Sequence, residues 1–184
     1  MQRLLIITIA LLYSCFSFAK PNYQIDLIVF AQQPSAAQSS GSSLDSPIIP
    51  MTHSNAISLK PSAAKTPKPY CLLSNSYSSL KDQYYLLSRR SPHPVLGHYS
   101  WRQPANNQST VALPLAEHNG WQMQGTLRIT QGNYYNFDAH LQVSPPSNPH
   151  ASFTISQKQR LKGNTVYYLD NDHLGMIVKI HQVS

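Results

Sequence analysis

The sequence predicts an α+β fold: one predominantly antiparallel β-sheet of about six to seven strands, curved or partly closed, with one packed helix and a long disordered insertion. Two observations favour this fold. Apolar and polar residues alternate over most of residues 94–183, which is typical of strands with one buried and one wet face. Residues 76–90 instead place apolar residues at spacings of three and four, as an amphipathic helix does.

The first strand is predicted at residues 23–30. In its second half, Leu27 and Val29 lie on one face of the strand. Ile28 and Phe30 make the opposite face apolar as well. A strand that is apolar on both faces is expected inside a sheet rather than at its edge.

The composition changes abruptly at residues 31–69, which are rich in Ser, Pro, Ala and Gln and contain six prolines and no Phe, Trp or Tyr. Such a segment cannot bury enough apolar surface to offset the entropy that it loses on ordering. We therefore expect a flexible insertion that is largely disordered. Residues 56–59 are the exception within it, and they predict a short edge strand.

The one helix is predicted at residues 76–90. Arg89 and Arg90 lie in its last turn, where their charges complement the helix dipole, and Ser91-Pro92 ends it. The side chains that we expect to pack on the sheet share one face of this helix and are Tyr77, Leu80, Tyr84 and Leu87.

The next strand is predicted at residues 94–104. Because successive side chains of a strand point to opposite faces, the chain presents two different surfaces here. The face that we expect in the core carries Val95, Gly97, Tyr99 and Trp101. The face that we expect at the surface carries Leu96, His98, Ser100 and Arg102.

Residues 121–130 and 134–143 alternate strictly between apolar and polar side chains. The turn signal Gln131-Gly132-Asn133 lies between them, so the pair predicts a long antiparallel hairpin with one buried and one wet face. Three more strands are predicted at residues 153–161, 164–170 and 174–183, with turns at Lys162-Gly163 and Asn171-Asp172.

The beginning of the chain has the pattern of a secretory signal peptide at residues 1–19. Arg3 supplies a basic start, an apolar run follows, and Ser17-Phe18-Ala19 provides a small-residue cleavage site. We expect cleavage after Ala19, which leaves residues 20–184 as a single exported domain. The apolar run is shorter than the roughly 20 residues of a membrane-spanning helix, so no membrane span is predicted.

The two cysteines have different expected fates. Cys15, three residues after Leu12, is an alternative lipid-attachment site, although Tyr13 fits such a site poorly. If the signal peptide is cleaved, Cys71 is the one remaining thiol and no internal disulfide can form. The apolar run around Cys71 predicts its burial, and an intermolecular bridge is the alternative.

The chain is basic, with 14 Lys and Arg against 7 Asp and Glu, a formal charge of +7. Loss of Arg3 with the signal peptide lowers this charge by one. An excess of positive charge attracts nucleic acid, anionic lipid or a polyanionic wall polymer. Export argues against nucleic acid as the partner, and the longest basic run is Arg89-Arg90, so the charge is spread rather than focused.

The sequence has none of the motifs that indicate a catalytic, metal or cofactor site. There is no HExxH motif, no His/Cys pair at zinc spacing, no Gly-x-Ser-x-Gly elbow and no Gly-rich phosphate loop. Carboxylates are too scarce to favour a glycosidase pair. We therefore predict a protein that is not an enzyme and has no catalytic residues, metal or cofactor.

Binding is better supported by the residue types present. Tyrosine rings stack on the apolar faces of sugars while their hydroxyls stay wet, and arginine offers a planar fork to carboxylates such as those of cell-wall stem peptides. The candidate ligand-binding residues, chosen on these grounds, are His98, Arg102, Gln103, Tyr134 and Tyr168.

Several segments together resemble the CsiV family of periplasmic peptidoglycan-binding proteins. The two most specific are Trp101-Arg102-Gln103-Pro104, which ends a predicted strand, and Tyr168-Leu169-Asp170 before a turn. The segments that carry the resemblance are YQIDLIVF at 23–30, the Leu-rich helix, PVLGHYSWRQP at 94–104, Gly125-Thr126-Leu127, Tyr167-Tyr168-Leu169-Asp170, Asp172-His173 and Leu174-Gly175.

The resemblance implies a Gram-negative periplasmic protein whose domain binds peptidoglycan without catalysis. It also implies support for a bifunctional penicillin-binding protein, in concert with that enzyme's outer-membrane lipoprotein activator. The chain departs from the family in its Ser/Pro/Ala-rich insertion and in lacking a tryptophan shortly after the first strand. Two other hypotheses stay open: an envelope adaptor that binds a protein partner through a sheet edge or the insertion, and a hydrolase of the same polymer.

Overall fold

The computed structural model describes residues 22–32, 55–61, 68–107, 109–147 and 152–183. The predicted signal peptide with its cleavage site, the alternative lipid anchor at Cys15 and most of the insertion lie outside these ranges. Within them, no helix is long and apolar enough to cross a membrane.

The described ranges form mostly β-structure, with one α-helix and a short 3-10 helix at Asn75–Tyr77. The elements are β1 (Asn22–Ala31), β2 (Ile57–Ser58), β3 (Lys60–Pro61), β4 (Cys71–Leu72), α1 (Lys81–Arg90), β5 (Val95–Pro104), β6 (Thr110–His118), β7 (Trp121–Gln131), β8 (Tyr135–Ser144), β9 (Phe153–Leu161), β10 (Val166–Asp170) and β11 (Leu174–Val183).

The strands form two sheets, so the prediction of one sheet is wrong. The six-stranded sheet has the order β10-β11-β1-β5-β4-β3, and the five-stranded sheet has the order β2-β6-β7-β8-β9. Most pairs are antiparallel, as predicted, but β3 runs parallel to β4 and β2 runs parallel to β6. Period-two alternation shows that a strand has a buried face, and it does not reveal which sheet covers that face.

Besides the two-residue strands β3 and β4, the sequence did not predict β6, because the alternation of β6 is interrupted. Pairing of β6 with β7 shifts register between Leu113 and Ala116, and Pro114 lies in this irregular stretch. Proline has no backbone N–H to donate to a ladder, so it occurs in strands mainly at edges and bulges. Leu115 of the same stretch is apolar although it is 56% exposed, so it also breaks the alternation of apolar and polar residues.

The two sheets face each other across the main hydrophobic core. The largest side chain in this core is Trp101, which has no exposed surface, and Tyr23 lies beside the ring of Tyr135 at 5.4 Å. The Tyr23 hydroxyl donates a hydrogen bond of 3.4 Å to the carbonyl oxygen of Ile129 in the opposite sheet. The β7–β8 hairpin pairs from Gln122 with Ser144 to Gln131 with Tyr135, as predicted.

A second, smaller core lies on the other face of the six-stranded sheet, under α1. There Leu80 packs with Ile28 and Phe30 of β1, and Tyr84 and Leu87 extend the contact. Strand β1 is therefore buried on both faces between β11 and β5, which confirms the prediction that it lies inside a sheet.

The helix is shorter than predicted because the chain before it is bonded to β1. It begins at Lys81 rather than at residue 76, and Tyr77 is 58% exposed instead of packing on the sheet. The buried carboxylate of Asp26 accepts hydrogen bonds from the Ser79 hydroxyl at 2.6 Å and from the Ser79 backbone N–H at 3.2 Å. These bonds hold the backbone before Lys81 against the sheet.

Asp26 has no exposed surface and accepts two further hydrogen bonds. The Ser100 hydroxyl donates to it at 2.6 Å, and the Gln24 amide donates at 3.0 Å. A buried carboxylate is tolerated only when hydrogen bonds replace its lost hydration. Asp26 therefore joins β1, β5 and the segment before α1 at one point.

A short piece of the insertion is ordered and spans both sheets. Strand β2 joins the five-stranded sheet at its edge, as predicted, whereas β3 two residues later joins the six-stranded sheet. Leu59 lies between them in the main core, 5% exposed, and its N–H donates a hydrogen bond of 3.3 Å to Ala112. Cys71 on β4 is a free thiol that is half-buried rather than fully buried.

A β-bulge at the start of β5 changes which face its side chains occupy. Val29 of β1 pairs with Gly97 and the next residue, Phe30, pairs with Val95, so Leu96 is the extra residue. Leu96 consequently packs in the main core, and Val95 packs under the helix. The sequence predicted the reverse, because strict alternation cannot anticipate an inserted residue.

Replacing the central side chain, Trp101→Ala, should lower the free energy of unfolding by about 3 to 5 kcal/mol, since a fully buried ring would leave a cavity. The matched control is Trp121→Ala, because Trp121 is only partly buried. Urea unfolding followed by circular dichroism measures both. Equal losses for the two variants would contradict the central role of Trp101.

Removing the buried acceptor, Asp26→Ala, should destabilise the fold by about 3 kcal/mol or more, because buried donors of Ser79, Ser100 and Gln24 lose their partner. Asp172→Ala, in an exposed turn, is the control and should change stability by less than about 0.5 kcal/mol. Urea unfolding near neutral pH compares the two. A small effect of Asp26→Ala would show that the network does not anchor the helix.

Candidate functional site

The five residues predicted to bind ligand are not brought together in the structure. His98, Arg102 and Gln103 lie on β5 and Tyr168 lies on β10, both in the six-stranded sheet. Tyr134 lies in the turn between β7 and β8 of the five-stranded sheet, where it is 53% exposed. Any single site therefore includes only some of these residues.

His98 faces the helix rather than open solvent. Its Nε2 atom is 2.9 Å from the Ser78 hydroxyl, and its ring stacks on Tyr84 with centroids 4.6 Å apart. Burial lowers the pKa of His98, and the nearby carboxylate of Asp26 opposes this shift. The face of β5 that was expected at the surface is thus partly covered by α1 and the segment before it.

Gln103 and Arg102 point to opposite faces of β5. Gln103 is 1% exposed, accepts a hydrogen bond of 3.4 Å from the Trp101 indole N–H and donates one of 3.1 Å to the Asn107 carbonyl. Arg102 is half-buried. Strand pairing places Arg102 of β5, Gln24 of β1 and His181 of β11 in one row across the sheet, with Gln24 in the middle. The contacts of Gln103 hold the end of β5 in place.

Tyr168 is an exposed aromatic residue with polar partners of its own. It is 56% exposed, and its ring lies nearly parallel to that of Phe30 at 6.1 Å. Its hydroxyl accepts a hydrogen bond from Gln32 at 2.7 Å and donates one to Asp170 at 3.0 Å. Burial and the Asp170 carboxylate raise the pKa of Tyr168, while the bond from Gln32 lowers it.

A groove of about 510 Å³ lies between α1 and the β6–β7 turn. His98 and Tyr84 form part of one wall, and His93 contributes from the loop before β5. Glu117 and His118 line the opposite side. Among the described residues, no group of three or more His, Cys, Asp and Glu side chains is arranged to hold a metal ion.

An open polar surface lies on the outer face of the five-stranded sheet. Strand pairing aligns Arg128 of β7, Asp138 of β8 and Lys158 of β9 in one row across the sheet. The next row contains Thr130, Asn136 and Arg160. These two rows line a groove of about 530 Å³.

A smaller groove of about 260 Å³ adjoins the first at the β7–β8 turn. Asn136 and Arg160 line both grooves, so the two form one continuous depression that extends to Tyr134. We call this depression the polar trough. Its residues are Arg128, Thr130, Tyr134, Asn136, Asp138, Lys158 and Arg160.

The far end of the same sheet face is polar but buried. The Gln124 amide donates a hydrogen bond of 2.9 Å to Gln142, and the Gln142 amide donates one of 2.8 Å to Ser152. All three side chains are less than a tenth exposed. These groups satisfy one another, so this end of the face is closed to a ligand.

The trough carries more positive than negative charge. It contains three cations and one carboxylate, Asp138, whose oxygens lie 3.4 Å from the Lys158 ammonium and 3.1 Å from His140 Nε2. The Lys158 side chain is 70% exposed, so this pair is weak and easily displaced by a ligand. The trough can therefore accept an anionic, hydrogen-bonding ligand, and Tyr134 adds a ring for stacking.

Five charged or amide residues of the trough are absent from the set predicted from sequence: Arg128, Asn136, Asp138, Lys158 and Arg160. Their signal was present, because each occupies a polar position of a predicted alternating strand. These side chains come together only because β8 pairs with β9. Periodicity within one strand does not specify which strand pairs with it.

Comparison with known proteins finds one family. The family model described as "Peptidoglycan-binding protein, CsiV" matches residues 2–183, which is nearly the whole chain. No curated protein and no solved structure matches the chain.

The buried histidines predict a loss of stability in mild acid. Burial lowers the pKa of both His98 and His181, so the folded state keeps them neutral while the unfolded chain takes up protons below about pH 6.5. The free energy of unfolding should therefore fall as the pH drops from about 7 to about 5.

The check is urea unfolding of the wild type and of His98→Gln with His181→Gln across this range. The double variant should show a shallower decrease, because two of the groups that titrate on unfolding are gone. His140→Gln is the control, since His140 is exposed beside Asp138. An unchanged slope in the double variant would contradict the assignment.

Proposed function

Because this chain belongs to the CsiV family of peptidoglycan-binding proteins, we propose that it binds peptidoglycan through the polar trough and does not catalyse a reaction on it. The observation that supports this site most directly is the continuity of two grooves lined by cations, an amide and an exposed tyrosine. The family supports a role at the cell wall, and the location of the site is our proposal.

The chemistry of peptidoglycan suits the side chains of the trough. The polymer combines N-acetylated sugars with short peptides that carry carboxylates. Arg128 and Arg160 offer planar forks to carboxylates, and Tyr134 offers a ring to a sugar face. Asn136 and Thr130 supply the neutral donors and acceptors that acetamido and hydroxyl groups require.

The proposal uses one of the five residues predicted to bind ligand, Tyr134. Tyr168 and Arg102 remain candidates for a separate contact on the six-stranded sheet, where both have accessible surface. The other two residues have partners within the fold. His98 contacts Ser78 and Tyr84. Gln103 is hydrogen-bonded to Trp101 and Asn107.

We place the protein in the periplasm, after removal of a signal peptide by cleavage following Ala19. The proposed role extends to supporting cell-wall synthesis by a bifunctional penicillin-binding protein, together with that enzyme's outer-membrane lipoprotein activator. This part of the proposal rests on the family resemblance. This role is tested by purifying the protein from crosslinked cells and asking whether the penicillin-binding protein and its activator co-purify with it. Absence of both from the crosslinked material would contradict the role.

An envelope adaptor that does not bind the wall is the second candidate function. Exposed apolar side chains around α1 favour it: Tyr77, Tyr85 and Leu86 are each at least half exposed. Such a surface suits a protein partner rather than a polar polymer. Wild-type protein that stays in the supernatant with sacculi, yet crosslinks to an envelope protein, would favour this candidate.

Binding to purified sacculi tests the trough. Lys158→Gln combined with Arg160→Gln should lower the bound fraction by about tenfold at roughly 0.15 M salt, because two charge-assisted contacts are lost. The measurement is co-sedimentation of the purified protein with intact sacculi. The same experiment, followed by analysis of the supernatant for released muropeptides, tests whether the protein is a hydrolase.

The matched control removes the same charges elsewhere. Lys81→Gln with Arg90→Gln neutralises two exposed cations of α1 and leaves the trough unchanged. This control should bind sacculi as the wild type does. Equal weakening of both double variants would mean that binding depends on overall charge, and undiminished binding by the trough variant would place the site elsewhere.

A further inference from the structure

We infer that the polar trough recognises a carboxylate of the acidic stem peptide, with Arg160 binding the carboxylate and Tyr134 supporting the adjoining sugar. The inference rests on the proposed function, because it names the part of peptidoglycan that this site selects. Three features of the described residues carry it: an open guanidinium, an ordered amide opposite it and an exposed ring beside both.

Arg160 has the open guanidinium. It is exposed on β9, which pairs with β8 at the edge of the five-stranded sheet. Within the described ranges, no side chain forms an ion pair or a hydrogen bond with it, whereas the Lys158 ammonium already lies 3.4 Å from Asp138. The planar fork of Arg160 can therefore take a carboxylate through two parallel hydrogen bonds without first breaking a contact.

Asn136 provides the ordered amide. It is the cross-strand partner of Arg160, so their Cβ atoms are about 5 Å apart. Its Nδ2 atom donates a hydrogen bond of 3.3 Å to the Thr130 hydroxyl on the other side, which orients the amide group. The amide oxygen of Asn136 is then available to accept an N–H of a peptide whose carboxylate binds Arg160.

Tyr134 provides the ring. It lies two residues before Asn136 and lines the same groove as Arg160. Because the ring of Tyr134, Asn136 and Arg160 line one groove of about 260 Å³, a single ligand can contact all three. A muramyl sugar on Tyr134 would thus place the beginning of its stem peptide at Asn136 and Arg160.

The charges favour the stem peptide over the glycan strand of the intact wall. There the lactyl carboxyl group of each muramyl sugar is consumed in the amide bond to its stem peptide, so the glycan strand itself carries no charge. Its binding would cover Arg160 without supplying a counterion, and covering an unpaired charge is unfavourable. A stem-peptide carboxylate supplies that counterion. The cationic surplus of the trough, three cations against Asp138, points the same way.

The test compares two forms of the same polymer. Wild-type protein is mixed with intact sacculi and with sacculi stripped of their free carboxylates by carbodiimide coupling to ammonia, which turns the carboxylates into neutral amides and leaves the glycan and its crosslinks in place. We expect binding to the stripped sacculi to be at least about tenfold weaker. Soluble muramyl tripeptide should compete with intact sacculi, and an N-acetylglucosamine tetramer at the same concentration should not.

Variants assign the contacts to residues. Arg160→Gln should lose the preference for intact over stripped sacculi, and Arg160→Lys should retain part of it, because lysine keeps the charge without the fork. Tyr134→Ala should weaken binding of muramyl tripeptide by about fivefold while preserving the preference for intact over stripped sacculi. The control, Arg90→Gln on α1, should behave as the wild type.

The outcomes separate this inference from the proposed function. Equal binding to intact and stripped sacculi would overturn the inference and leave peptidoglycan binding in place. No binding to either form would overturn both. Preference for intact sacculi that survives Arg160→Gln would show that another residue recognises the peptide and would also overturn the inference.

Discussion

The buried carboxylate of Asp26 is the interaction on which the layered arrangement depends. It is fully enclosed in the middle of β1, where an unsatisfied charge would be strongly unfavourable. Donors from Gln24 of β1 itself, from Ser100 of the neighbouring β5 and from Ser79 before α1 replace its hydration. Satisfying this one charge therefore requires the helix to sit on β1 and β5.

That placement of the helix determines which surfaces are available to a ligand. With α1 on the six-stranded sheet, the His98 face of β5 is partly covered, and the opposite face of the same sheet packs on the five-stranded sheet. The outer face of the five-stranded sheet keeps its accessible polar rows, and Arg160 and Tyr134 lie there. The surface that we propose to bind ligand thus lies on the sheet that the helix does not cover.

The hairpin and the strand β5 show how far the sequence predicts the fold. The β7–β8 hairpin follows from alternation and a turn between adjacent segments, so its register agrees with expectation. On β5, alternation correctly places Trp101 in the core, but it fails at Leu96, where a bulge inserts a residue. It also assigns His98 to the surface, because the covering residues Ser78 and Tyr84 are distant in sequence.

The sequence by itself determined most of the long strands, the presence of one helix, the basic charge and the family resemblance, because these depend on residue identities and on neighbours along the chain. Tertiary structure alone decided that the strands divide into two sheets and that Lys158 and Arg160 lie beside Asp138 and Asn136. Periodicity reports which side chains of one strand share a face. Which strand lies next to it, and what covers that face, are set by long-range pairing and by the burial of groups such as Asp26.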